Sequence, residues 1–146
     1  MTQVDFYILD SASEQSAGIF TCRLTEKAYR AGMKVFIHTA SKNDAKRLDD
    51  LLWTFNQGSF LPHAQSDQNN PDNELPTPIV LGTSLDEMGQ EDLLINLTQQ
   101  LPAESQRFQR IAEIVVNSDE EKQAARQRFR HYRDQGFEVK SHNIVN

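Results

Sequence analysis

Short β-branched and aromatic runs alternate with longer segments of helical periodicity along this chain. Residues 4–9 (VDFYIL) and 34–38 (KVFIH) are typical of buried strands. Between them, apolar residues from Ala17 to Ala31 recur at helical spacing, and Gly32 stands where a C-terminal cap glycine belongs. Strands that alternate with helices indicate an α/β fold with a largely parallel sheet.

The rest of the chain continues this pattern. Ser41 and Ser118 each have an acidic residue three positions later, so each predicts the start of a helix, and Gly136 predicts the end of the second one. We predict further strands at 79–81, at 93–97, at the end of 107–116 and from 137 onward. The polar segment 63–78 is rich in Asn, Asp and Pro and predicts a surface loop.

These elements predict one domain spanning residues 1–146, with a three-layer α/β/α, Rossmann-like architecture and a mostly parallel sheet. No apolar run is long enough for a membrane helix, and the acidic N-terminus does not resemble a signal peptide. The single cysteine, Cys22, excludes an intramolecular disulfide, so we expect a cytoplasmic protein without a membrane partner.

The sequence lacks the motifs of common nucleotide and catalytic sites. No glycine-rich G-x-G-x-x-G or G-x-x-x-x-G-K-[ST] pattern is present, so we predict no nucleotide-binding motif. The four histidines have no metal-ligand spacing, and we predict no metal and no other cofactor. Asp10 follows the first strand, where α/β enzymes often place a carboxylate, although a loop aspartate that caps a turn is the simpler interpretation.

Basic residues collect on one side of the helix predicted at 119–135. Every Lys and Arg lies outside 48–106, and the net charge of −6 argues against a protein that coats duplex DNA. Four cations fall within a sector of about 80° on that helix: Lys122, Arg126, Arg130 and Arg133. Phe129 borders this row. The pattern favours binding of an acidic peptide that ends in an apolar side chain, with phosphates of single-stranded DNA as an alternative and a solvated face as the simplest one.

Trp53 marks a second candidate surface. At 100° per residue it projects about 90° away from the apolar stripe of its helix. The turn that follows carries apolar residues at 60–62, where a polar loop is expected. These residues indicate a hydrophobic interface, or else a cover over the sheet edge.

Five stretches of the chain carry a family resemblance. They are DFYILD at 5–10, AYRAGMKVFIHT at 28–39, AKRLDDLLW at 45–53, SFLPH at 59–63 and EKQAARQRFRHYRDQGF at 121–137. In order and spacing they resemble the chi subunit of bacterial DNA polymerase III holoenzyme. The resemblance covers nearly the whole chain and is weakest at 64–92.

The resemblance implies a non-catalytic replication subunit that joins the clamp loader to single-stranded-DNA-binding protein. It implies that the acidic C-terminal tail of that protein binds at the last long helix and the preceding strand, here at Val115, Lys122, Arg126, Phe129, Arg130 and Arg133. It also implies that the psi subunit binds at Trp53, Phe60, Leu61, Pro62 and His63. No sequence-specific contact with nucleic acid is expected.

This chain departs from the family pattern at two positions of the tail site. Phe129 stands where a tyrosine is familiar, and Arg130 where a lysine is. The phenol hydrogen bond is therefore missing, while the apolar contact and the charge remain. Three alternatives stay open: a helicase partner on the Trp53 side, a nucleotide- or metal-dependent enzyme that uses Asp10, and direct binding of single-stranded DNA.

Overall fold

The computed structural model describes residues 2–55, 62–65, 78–83, 92–102 and 107–144. The strands are β1 (Gln3–Leu9), β2 (Val35–His38), β3 (His63–Gln65), β4 (Ile79–Gly82), β5 (Leu93–Asn96), β6 (Arg110–Val115) and β7 (Glu138–Ile144). The helices are α1 (Glu14–Arg30), α2 (Lys42–Thr54) and α3 (Asp119–Asp134). Within the described ranges, no helix is long and apolar enough to cross a bilayer.

The strands form one seven-stranded sheet in the order β3-β4-β2-β5-β6-β1-β7, and every pairing is parallel. The predicted α/β class with a mostly parallel sheet is therefore confirmed. β1 lies between β6 and β7, although it is far from both of them in the chain. This arrangement places the start of the chain against the strand that follows α3.

The helices cover both faces of the sheet, as the three-layer prediction requires. Residues of α1 and α2 share one apolar core with the sheet, and residues of α3 share the other. β6 shows how one strand serves both layers: Ile111 and Val115 join the α3 core, whereas Ala112 and Ile114 join the opposite one. Because helices cover both faces of this strand, successive side chains are buried on alternate faces, and its sequence is therefore nearly all apolar.

Local sequence signals fix the ends of the helices. Ser41 Oγ accepts a hydrogen bond from the Asp44 amide at 3.1 Å, and Ser118 Oγ accepts one from the Glu121 amide at 3.2 Å. Gly136 follows α3 with a φ of 88°, a left-handed conformation that side chains other than glycine rarely adopt. The predicted helix starts at Ser41 and Ser118 and the predicted end at Gly136 are confirmed.

One prediction about the chain path is wrong. The segment 63–78 was expected to be a loop throughout, yet His63–Gln65 forms the edge strand β3 and pairs in parallel with β4, His63 opposite Ile79. A three-residue polar strand at an edge has no hydrophobic period to reveal it, because its stability comes from the backbone groups of its neighbour. Residues 66–77 lie outside the described ranges.

Candidate protein-binding surfaces

α3 carries the predicted cations on its outer side. The four side chains of this basic row are Lys122, Arg126, Arg130 and Arg133. None of them forms a salt bridge with any residue that the structure describes. Even Arg130 and Asp134, which have the spacing of a helical ion pair, do not form one. The row therefore keeps its charges available for a ligand.

A pocket of about 310 Å³ opens beside the basic row. Lys122, Arg126 and Phe129 of α3 line it together with Val115 of β6. The fold thus brings together four of the six residues in the predicted tail site. Phe129 is half-buried and presents part of its ring, whereas Val115 has no exposed surface and supports the pocket from beneath.

The floor of this pocket comes from strands that the sequence did not connect with α3. β1 contributes Phe6 and Ile8, and the edge strand β7 contributes Ser141 and Asn143. The Phe6 ring lies 5.4 Å from the Phe129 ring, centroid to centroid. Alternation along β1 could have placed Phe6 and Ile8 on one face, but nothing in the sequence shows which helix covers that face. The pocket combines an apolar floor with hydroxyl and amide groups at one side.

Arg130 and Arg133 stand apart from the pocket. Both are exposed and neither lines it. They follow Arg126 by one and two helical turns, which extends the positive charge along the outer side of α3. The predicted site therefore divides into a lined pocket and a flanking pair of cations.

A buried polar cluster lies behind the pocket, between α3 and the sheet. Glu113 on β6 accepts hydrogen bonds from Arg128, Tyr132 and Asn96. Burial raises the pKa of the Glu113 carboxyl, and this effect outweighs the neighbouring Arg128 charge, which lowers it. Burial also raises the pKa of Tyr132, and the adjacent Glu113 raises it further. Helical periodicity did not predict this cluster, because Arg128 reads as one more cation of α3.

The Trp53 side is the second candidate surface. Trp53 is 52% exposed, and its ring lies 4.6 Å from the His63 ring, centroid to centroid. The His63 side chain is buried, with Nε2 3.2 Å from an Asp49 carboxylate oxygen. His63 therefore supports Trp53 from behind. Pro62 is half-buried beside it. The predicted residues Phe60 and Leu61 lie outside the described residues.

Asp10 directly follows β1, as the sequence indicated. Its backbone N–H donates to the Ile144 carbonyl at 3.1 Å, and its own carbonyl accepts from Asn117 Nδ2 at 3.0 Å. Within the described ranges, no three His, Cys, Asp or Glu side chains come together as a metal site would require. Cys22 is buried, and burial raises the pKa of its thiol to about 12, which disfavours the nucleophilic thiolate.

A cavity of about 600 Å³ lies at the carboxyl ends of the strands, where open parallel sheets usually bind ligands. Its lining includes the carboxylate side chains Asp44 and Glu121, and the lining cation Arg47 forms a salt bridge with Asp44 at 3.0 Å. At the start of α1, the Gln15 and Ser16 amides donate to Ser13 Oγ and so already have a partner. A phosphate would meet carboxylates here. The cavity also lacks the glycine-rich backbone that nucleotide sites use.

Solved structures with a similar fold share little sequence with this chain. The crystal structure of T4 UvsW superposes with a TM-score of 0.70 at 8% identity, covering 99% of this chain and 42% of that one. A DEAD box protein from Methanococcus jannaschii superposes with a TM-score of 0.60 at 13% identity, covering 96% and 42%. At such low identity these similarities establish the fold alone.

Comparison with related sequences identifies a family, which the structural similarities do not. Residues 1–140 match the family "DNA polymerase III chi subunit, HolC". The DNA polymerase III subunit chi of Pseudomonas aeruginosa is 39% identical over 99% of this chain and 98% of its own length. The subunit chi of Haemophilus influenzae is 32% identical over 95% of each chain, and that of Escherichia coli K12 is 29% identical over 95% of this chain and 96% of its own. This chain belongs to the DNA polymerase III chi subunit family.

Proposed function

We propose that this protein is a non-catalytic accessory subunit that links two partners in the bacterial cytoplasm. The acidic C-terminal tail of single-stranded-DNA-binding protein binds at α3, and the psi subunit of DNA polymerase III binds on the Trp53 side. Neither contact needs a cofactor. The observation that carries the proposal is the pocket of about 310 Å³ that is bordered by Lys122, Arg126 and Phe129.

The chemistry of the pocket fits the end of an acidic, apolar-tipped peptide. Arg126 and Lys122 can hold carboxylates by charge-assisted hydrogen bonds, while Phe129 and the floor residues Phe6 and Ile8 enclose an apolar side chain. Arg130 and Arg133 attract further carboxylates upstream in the peptide. Because these cations are largely exposed, their contribution is screened by salt, and the complex forms and dissociates quickly.

The Trp53 side fits a drier contact. Trp53 is the large apolar side chain that the described residues leave exposed, and α2 and His63 hold its ring in place. Aromatic residues of this kind often anchor protein interfaces. Asp49 and Asp50 precede it by about one turn of α2, and Lys and Arg are absent from 48–106. Apolar burial therefore dominates this contact, and its affinity depends less on salt than that of the tail site.

Titration of a fluorescent peptide that copies the acidic tail tests the α3 site. We expect binding at low salt that weakens as salt rises, and a loss of about tenfold in affinity for Arg126→Ala, which corresponds to about 1.4 kcal/mol. Arg23→Ala is the matched control, because it removes an exposed arginine from α1 on the other face of the sheet. Absent binding at low salt, or an equal loss in both variants, contradicts the tail site.

Calorimetry with purified psi subunit tests the Trp53 side. We expect Trp53→Ala to weaken psi binding by tenfold or more, because truncation of a buried aromatic anchor costs about 2 kcal/mol. Thr54→Ala, the exposed neighbour, is the control and should bind as wild type. Psi binding that tolerates Trp53→Ala but fails with Arg126→Ala would reverse the assignment, and binding of a helicase alone would give the surface a different partner.

Two ligand screens separate this proposal from its rivals. A nucleotide or divalent ion that raises the melting temperature, with the effect lost in Asp10→Ala, would favour an enzyme. Binding of an oligodeoxythymidine that depends on Arg126 would favour direct contact with single-stranded DNA. The proposal expects neither, because net charge is −6 and the cations of α3 border an apolar pocket without a row of exposed rings.

A further inference from the structure

α3 is attached to the sheet by two side chains that reach the same carboxylate. Arg128 Nε donates to Glu113 Oε1 at 3.2 Å, and the Tyr132 hydroxyl donates to Glu113 Oε2 at 2.7 Å. Arg128 and Tyr132 are four residues apart, so they lie one turn apart on the inner side of the helix. All three side chains are buried, with at most 4% exposed.

The carboxylate is itself held in place. Asn96 Nδ2 lies 3.0 Å from Glu113 Oε1 and 3.1 Å from Oε2. Asn96 Oδ1 in turn accepts from the Thr98 hydroxyl at 2.7 Å and from the Thr98 amide at 3.0 Å. Asn96, the last residue of β5, therefore orients Glu113 from the sheet, while Arg128 Nη1 donates to the Gln99 carbonyl at 3.1 Å and joins α3 to the loop after β5.

A buried ion pair is weak evidence of a stabilising role. Moving both charges out of water is costly, and apolar side chains of similar volume often stabilise a fold as well or better. Arg128 Nη2 is buried and has no hydrogen-bond partner within the described part of the chain. Burial also raises the pKa of Glu113, which shows that its charge is disfavoured there. Hydrogen bonds are directional, so this cluster can fix the orientation of the side chains that it joins.

The apolar inner contacts of α3 do not fix its rotation. Ala125 is small, and the apolar contacts of Phe129 with Phe6 are not directional. A rotation of the helix by about 20° would move atoms at a radius of 5–6 Å by about 2 Å. Phe129 follows Arg128 directly in sequence, so such a rotation would displace its ring, which forms part of the pocket wall. A displacement of this size would disrupt close packing against a bound peptide.

We propose that Glu113 is a positioning residue for the pocket beside the basic row. By anchoring Arg128 and Tyr132, it fixes the rotation of α3 and therefore where Arg126 and Phe129 meet a bound peptide. The identity of that peptide, the acidic tail, rests on the proposed function; the anchoring of the helix does not.

An apolar replacement of the cluster tests this role. The triple variant Glu113→Leu, Arg128→Met, Tyr132→Phe removes both charges and the hydroxyl together, so no buried charge is left without its partner. Ile114→Val is the control, since it alters β6 on the face opposite to α3. Each protein is compared with wild type by melting temperature, tail-peptide affinity at several salt concentrations, and amide hydrogen exchange.

We expect the triple variant to melt within a few degrees of wild type and to bind the peptide at least fivefold more weakly. The salt dependence of binding should stay unchanged, because the whole basic row remains. Hydrogen exchange should accelerate in α3 while β1 and β6 keep their protection. Ile114→Val should change neither the peptide affinity nor the exchange of α3. A triple variant with wild-type affinity and wild-type protection of α3 would overturn the proposal.

Two further outcomes keep the inferences separate. If wild type binds no tail peptide but the triple variant still loses protection in α3, the proposed function fails and the anchoring stands. If the triple variant does not fold, Tyr132→Phe alone removes one of the two anchors and keeps the ring. That variant should bind about twofold to threefold more weakly with faster exchange in α3, and wild-type behaviour in both measurements would overturn the positioning role.

Discussion

Phe129 and Arg126 lie on the same side of α3 but contribute by different physics. The half-buried Phe129 ring packs on Phe6 at 5.4 Å and borders the pocket. The exposed Arg126 offers a charge that salt screens. Substitutions at these two positions should therefore differ in how their effect on peptide affinity depends on salt.

We predict that Phe129→Ala weakens binding of the acidic tail peptide about tenfold. The lost apolar contact is worth about 1–2 kcal/mol, and the salt dependence should remain that of wild type. Phe129→Tyr is the control, since it keeps the ring and adds a hydroxyl; it should bind at least as well as wild type. Titration of the peptide at two salt concentrations measures both effects. A Phe129→Ala protein that binds normally would mean that the apolar side chain of the peptide binds elsewhere.

The raised pKa of Glu113 predicts the pH dependence of stability. A carboxyl whose pKa is higher in the folded chain binds its proton more tightly there than in the unfolded chain, where the ordinary value is 4.5. Its contribution to the free energy of unfolding therefore falls as pH rises from about 4.5 through the folded pKa.

Urea unfolding across that pH range measures this effect. The stability of wild type relative to the apolar triple variant should fall as pH rises above 4.5, because the variant has no carboxyl at this position. A relative stability that rises with pH would mean that Arg128 and the hydrogen bonds outweigh the cost of burial.

At the scale of elements, local chemistry determined α3 well. The predicted range 119–135 differs from the observed Asp119–Asp134 by one residue, because a serine cap and a terminal glycine signal both ends. β3 was missed for the opposite reason. Its three residues have no period and no cap, and they become a strand only because β4 offers backbone groups at the sheet edge.

We predict that Gly136→Ala destabilises the protein by about 1–2 kcal/mol. Its φ of 88° is strained for any side chain, although no described atom beyond its two chain neighbours lies within 4 Å of an added Cβ, so the cost is conformational. The melting temperature should fall by about 3–6 °C. Gln135→Ala, at a φ of −82°, is the control and should be close to neutral. A Gly136→Ala protein as stable as this control would contradict the argument.

At the scale of the whole molecule, the two candidate surfaces lie near opposite edges of the sheet. α2 contacts β3 and β4, whereas α3 contacts β6 and β7. Six inter-strand spacings of about 4.8 Å place these edges about 29 Å apart, before twist is considered. The helices also cover opposite faces. This separation allows one small protein to hold two partners at once.

We predict that the tail peptide and the psi subunit bind independently. Saturation with one should change the affinity for the other less than twofold, because no residue is shared and the sites are well separated. In the double variant Arg126→Ala with Trp53→Ala, each loss should equal that of the single variant. Calorimetry in the presence and absence of the second ligand measures this, and mutual exclusion would contradict two separate surfaces.

The sequence by itself determined the layers, the helix ends and the basic row, because each depends on residues close together in the chain. Period and capping act over one to four residues, and a helix places Lys122 and Arg126 on one side whatever surrounds it. The tertiary structure alone decided the pocket floor and the Glu113 anchor. Strand order brings Phe6, more than a hundred residues away, under Phe129, and no local pattern records that pairing.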